Sequence, residues 1–209
     1  MDKRAMFTMV ADQRVRLCDQ LDDLSLEQWD APSLCAGWRI RDVLAHLVTL
    51  QDIPTWKFLV GVVGMGGFHR RVDRFAREYG QREPAELVSR YRQLAGSPNA
   101  PPIVGPIAPL ADIVVHALDI ERPLGLDPVH SDEMVVTALD ALCAGLPGFT
   151  SKKLVRGLRF EAPDIGWTLG AGPVVRGVSS DLLLTVTGRV GFANRLEGDG
   201  APLLLARLP

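Results

Sequence analysis

Two histidines and one aspartate stand where helical periodicity calls for apolar side chains. In "ADIVVHALDIERPLG" (111–125), Asp112 and His116 are four residues apart. On a helix they project from one face, close enough to share a single ion. Ile113, Val114 and Val115 around them give that helix no reason to be solvated there. His46, in "DVLAHLVTL", has Val43 and Leu50 at i−3 and i+4, which sets it on or beside a buried face. One reading is structural: a hydrogen-bonded core histidine, and an aspartate that fixes the tautomer of another. The sharper reading joins all three into two histidines and a carboxylate, from two helices of a bundle, facing one site. That set leaves coordination positions open, as a catalytic divalent metal requires.

The elements that must position these residues are helices. Phe7, Val10, Leu17, Leu21 and Leu24 recur at helical spacing in "MFTMVADQRVRLCDQLDDL", which predicts a first helix. Ser25 before "LEQWD" reads as a capped turn, and "APSLCAGW" as a loop. The second helix resumes with Ile40, Val43, Leu44, Leu47 and Leu50, and Pro54 kinks or ends it. A third is expected in the charged stretch 69–95, with Pro84 at its first position before "AELVSRYRQLAG". A fourth runs roughly from 103 to 121. Ser131, with Asp132 and Glu133 behind it, opens a fifth through about Leu146, stopped by Pro147 and Gly148. After about residue 150 the character changes: "LVRGLRFEAPDIGWTLGAGPVVRGV" suits two or three short strands, and Ser179 or Ser180 caps the helix "DLLLTVTGR".

Composition narrows the partners. A chain of 209 residues with 47% hydrophobic content and a mean hydropathy of +0.11 can bury a real core. A net charge of −2 and pI near 6.1 offer no cationic excess for a nucleic-acid backbone or an anionic membrane. The apolar run "TWKFLVGVVGMGGF" is too short to span a bilayer, and the charged start "MDKRAMFTMVADQRVR" does not suit a signal peptide. Cys18, Cys35 and Cys143 show no CxxC spacing, against both a disulfide framework and a thiolate zinc cluster. A soluble, cytoplasmic protein is expected.

Other polar residues read more plainly. Cys35 has no base beside it in sequence and suits a small core-filling role. Asp119 and Arg122 are three apart and suggest an exposed helical ion pair, with support of His116 by Asp119 the lesser option. Asp42, four before His46, either orients it or faces solvent. Trp38 packs at a helix start. His69 and His130 lie in charged or loop segments and are not expected to be ligands. "GVVGMGG" lacks the strand and helix that a phosphate loop requires.

The stretches "WDAPSLCAGWRIRDVLAHL" (29–47), "DIVVHALDIERPLG" (112–125) and "DLLLTVTGR" (181–189), in that order, resemble the mycothiol-dependent maleylpyruvate isomerase family. The resemblance implies an α+β, mainly α fold: a DinB-like four-helix bundle that binds metal, residues 1–150, followed by a small α/β C-terminal domain, residues 151–209. It also implies that His46, Asp112 and His116 hold a divalent metal, usually zinc. Arg189, in the "TGR" element, corresponds to an arginine tied to catalysis and to substrate or thiol-cofactor binding. One departure is visible: the isomerases carry Glu at the acid position, and Asp112 is one methylene shorter.

The implied chemistry is that of a thiol, mycothiol in this family, deprotonated at the metal and adding to a small electrophilic substrate. Addition, rotation and expulsion of the thiol make an isomerase; addition alone makes an S-transferase. Arg189 offers a planar fork for a carboxylate. An iron oxygenase also uses two histidines and one carboxylate, but usually on a β-barrel. The remaining alternative is a non-catalytic small-molecule-binding protein on the same bundle.

Overall fold

Short-range signals set the helix boundaries. In the computed structural model, which describes residues 2–52, 68–102 and 104–208, Asp2 opens α1 (Lys3–Leu21) by accepting from Ala5 N at 2.7 Å. Ser25 opens α2 (Leu26–Asp30) with a full capping box, its hydroxyl accepting from Gln28 N while Gln28 accepts from Ser25 N. Next come α3 (Ile40–Asp52), α4 (Phe68–Tyr79), α5 (Pro84–Gln93) and α6 (Ile107–Leu124). The 69–95 stretch thus holds two helices where one was expected, broken at Gly80 and restarted by Pro84 at the first position of α5. The α6 helix ends in a left-handed Gly125, φ 66°. Pro54 and the "GVVGMGG" run lie outside the described residues.

Two compact units make up the chain, Met1–Val129 and His130–Pro209. In the first, α1 packs on α5 and α6, and α3 packs on the same two helices, which closes a four-helix bundle. Its interior is apolar: Val10, Leu17 and Leu21 of α1, Val43, Leu44 and Leu47 of α3, Leu87 and Tyr91 of α5, and most of α6. Arg14 is buried with them, and its Nη1 donates to the carbonyls of Leu94, Ala95 and Ser97 just past α5, at 3.5, 2.9 and 3.0 Å. A cation at a helix C-terminus meets carbonyls that have no partner within the helix.

The second unit begins earlier than the expected boundary near residue 150, because α7 (Asp132–Cys143) packs with the C-terminal elements. Ser131 caps it as expected, accepting from Met134 N, but the helix stops at Cys143, before Pro147. After the short α8 (Lys152–Val155) comes a three-stranded sheet in the order β2-β1-β3: β1 (Arg159–Ala162), β2 (Trp167–Gly170) and β3 (Val174–Arg176). β1 runs antiparallel to β2, with Phe160 opposite Leu169, and parallel to β3, with Phe160 opposite Val175. α9 (Ser179–Val186) packs on α7, and α10 (Ala201–Leu205) lies by β3. The cap of α9 differs from expectation: Asp164 accepts from Ser179 N and Oγ, so a carboxylate from another turn does the work assigned to the serines. The class is α+β, mainly α. No described helix is long and apolar enough to cross a membrane.

Candidate metal centre

Three elements converge inside the bundle. α3 carries His46 on the face that also buries Val43 and Leu47. α6 is buried almost throughout and carries Asp112, His116 and Asp119 at i, i+4 and i+7, one continuous stripe. The loop between α2 and α3 supplies Cys35 and Trp38. It is tied to α6 by Leu34 N donating to Asp119 O at 3.1 Å, and closed on itself by Ser33 N to Trp38 O and Trp38 N to Cys35 O. Gly37 sits in that turn with φ 77°.

The three predicted ligands meet. His46 Nε2 lies 3.7 Å and His116 Nε2 3.6 Å from Asp112 Oδ1, and the three ligand atoms fall within 4.8 Å of one another. His46 and Asp112 are both 8% exposed, and His116 is nearly as enclosed. Tetrahedral bonds of about 2.0–2.2 Å place neighbouring ligand atoms roughly 3.3–3.6 Å apart, so the spacing fits a divalent cation with small adjustments. The donor set fits too, two imidazole nitrogens and a carboxylate oxygen being usual company for zinc.

Electrostatics suit His46 and Asp112 to a cation, whereas His116 must shed a proton before its Nε2 can join them. Burial holds His46 below its ordinary pKa, so this ring is a neutral donor at pH 7. Burial alone would raise Asp112, but the bond to His46 and the charges of His116 and Arg14 pull it below the usual carboxylate range. For His116, burial acts downward and is outweighed by the hydrogen bond to Asp119, the Cys35 contact and the Asp112 charge, which lift it to about 10. Nδ1 of that ring lies 2.8 Å from Asp119 Oδ2. Asp119 thereby fixes the ring's orientation and leaves Nε2 on the Asp112 side.

Several readings need correction. Asp119 is no exposed ion-pair member: it is fully buried and accepts from His116, which its place on the same helical stripe could have signalled. Cys35 is half-buried rather than core, with Sγ 3.1 Å from Asp119 Oδ2 and 3.7 Å from His116 Nδ1; nothing in the sequence links residues so far apart. Asp42 neither orients His46 nor faces solvent. It is 2% exposed and accepts from Arg39 N, Nε and Nη2 at the start of α3. Trp38 does pack at the helix start, but against the site: its ring centroid is 5.3 Å from that of His46 and 6.4 Å from that of His116, and Nε1 donates to Asp73 Oδ1 of α4 at 2.7 Å. Among the described residues His130 belongs to no ligand group, and the side chain of His69 lies outside them.

Arg189 belongs to the second unit. It follows α9, its backbone N donating to Leu184 O and its Nη1 to Thr187 O at 2.8 Å.

Two crystal structures, of the mycothiol-dependent maleylpyruvate isomerase and of a histidine-to-alanine mutant of it, superpose with TM-scores of 0.61 and 0.62. Each match covers 96% of this chain and 94% of the other at 13% identity, so what is shared is the fold. No curated protein sequence matches. Residues 10–100 match the family model described as the mycothiol maleylpyruvate isomerase N-terminal domain, a span that runs from within α1 through α5, includes His46 and stops short of Asp112 and His116. The chain is thus similar to the mycothiol-dependent maleylpyruvate isomerase family in its N-terminal domain, and it shares the isomerase's fold along nearly its whole length.

Proposed function

We propose that the protein is a metal-dependent enzyme that uses a low-molecular-weight thiol, mycothiol, as an isomerase or S-transferase on small electrophilic substrates, carboxylate-bearing ones among them. The observation that carries this reading is the enclosed His46, Asp112 and His116 triad, with ligand atoms within 4.8 Å, in a bundle of the isomerase fold. His46 and Asp112, neutral and ionised respectively, would hold a divalent cation, zinc by its donor set, with His116 completing the set through Nε2. When bound, such a cation supplies a Lewis acid that lowers the pKa of a thiol.

The remaining roles belong to the chain. The apolar bundle around the triad excludes water and so strengthens electrostatic interactions within it. The Trp38 ring, anchored by Asp73, forms one wall against both histidines. Arg189 is assigned to a carboxylate of the substrate or the thiol, where its planar fork donates to two oxygens. Addition of the thiol sulfur to a conjugated cis double bond leaves a single bond free to rotate, and expulsion of the thiol returns the trans isomer. Place of action under this reading is the cytoplasm, where three free cysteines stay reduced.

The test is to incubate the zinc-loaded protein with mycothiol and maleylpyruvate and follow both. Thiol-dependent isomerisation that is lost in His46→Ala supports the isomerase, and stoichiometric thiol consumption identifies a transferase. Neither product, from a protein that still binds the thiol, would make it a binding protein and contradict the enzyme reading.

A further inference from the structure

We propose that Cys35 is a positioning residue for the metal centre: its thiol donates to Asp119 Oδ2, the oxygen that also holds His116 Nδ1, and so helps keep Nε2 aimed at Asp112 and His46. The proposal rests on the metal reading above.

Cys35 Sγ, Asp119 Oδ2 and His116 Nδ1 form a tight triangle with sides of 3.1, 2.8 and 3.7 Å on one edge of the imidazole. The His46 and Asp112 ligand atoms lie off the other nitrogen of that ring. A sulfur on the Nδ1 edge is on the wrong side to join an ion held at Nε2. Asp119, His116 and Cys35 could instead hold a second ion among themselves. Against this, the 2.8 Å between Nδ1 and Oδ2 is a hydrogen-bond separation, shorter than the roughly 3.3 Å between two ligands of one zinc.

What remains is donation, and the surroundings are built for it. Asp119 is fully buried, and a buried carboxylate without enough donors is costly. The Cys35 backbone is itself fixed, its N donating to Ser33 Oγ at 3.1 Å, and the Leu34 bond to Asp119 O holds the loop against α6. Among the described residues the other two cysteines show no such partner: Cys18 Sγ donates to the Val88 carbonyl, and Cys143 is buried at the end of α7.

The experiment titrates the metal-free protein with Co²⁺, comparing parent, Cys35→Ser and Cys35→Ala, each checked for fold by circular dichroism. The expected parent spectrum shows one bound cobalt without a thiolate-to-cobalt charge-transfer band. Serine, which keeps a donor, should hold affinity within about threefold, and alanine should weaken it about tenfold. Alanine binding as tightly as the parent overturns the proposal, as does equal weakening in both variants, since neither outcome needs a donated hydrogen bond. A thiolate band lost in Cys35→Ser overturns it by making Cys35 a ligand. A parent that takes up no cobalt at all defeats the metal reading itself, and the positioning role with it.

Discussion

Nδ1 of His116 lies 2.8 Å from Asp119 Oδ2, so the ring is held by a fully buried carboxylate on one edge and offers its other nitrogen to Asp112. Removal of that support loosens a proposed ligand without removing one. Asp119→Ala should keep the bundle folded and still bind zinc, with affinity reduced by about 10- to 100-fold. Competition against a chelator of known affinity measures it; unchanged affinity would mean that His116 is held by packing alone.

Glu121, one turn beyond the site on α6, is fully buried, with Oε1 accepting from Val129 N and Oε2 without a hydrogen-bond partner. Burial raises its pKa from 4.5 to about 7, and the Val129 bond offsets only part of that. Between those values the folded state binds more protons than the unfolded state. Its contribution to stability is therefore full below about pH 4.5 and lost as pH rises through 7, on the order of 3 kcal/mol in all. Urea midpoints for Glu121→Gln should lack this part of the pH dependence; parallel profiles for parent and variant would show that Glu121 titrates normally.

Gly80 closes α4 against the start of α3. A methyl group there would lie 2.1 Å from Asp42 Oδ1, which is held in place by Arg39. Gly80→Ala should cost about 1–3 kcal/mol by displacing that carboxylate. Thermal unfolding reads the loss, and a neutral substitution would show that the Arg39–Asp42 pair yields easily.

Arg14 is 1% exposed, and its Nη1 serves three carbonyls past the end of α5. Arg14→Met keeps the stem and leaves those acceptors short of a donor, with an expected cost of about 2–4 kcal/mol by denaturant unfolding. A loss below about 0.5 kcal/mol would show that water takes over the guanidinium's role.

How much of this was legible in the sequence depended on range. Caps at Ser25 and Ser131 and the i, i+4 pair of Asp112 and His116 are local, and they are found as read, whereas α6 starts later than the expected 103 and runs past 121 to Leu124, where Gly125 ends it. His46 was legible because a polar residue broke an apolar face. Asp119 was within reach, since it continues the stripe of Asp112 and His116, but the nearby Arg122 suggested a surface pair instead. Cys35 was out of reach: its partner is 84 residues away, and only the docking of a loop on α6 brings the two together. The same holds for Trp38 and Asp73, and for Asp164 at the cap of α9. A capped amphipathic helix reads alike in either unit, and only its packing groups α7 with the second.

The most direct test of the central claim is elemental analysis of the purified protein beside His46→Ala and His116→Ala, with the fold of each checked by circular dichroism. About one equivalent of zinc in the parent, lost from both folded variants, is the result expected of an ion held jointly by α3 and α6. A parent that holds no divalent metal and cannot be loaded with one would contradict the account, and would leave His46, Asp112 and His116 as a buried polar network of the bundle.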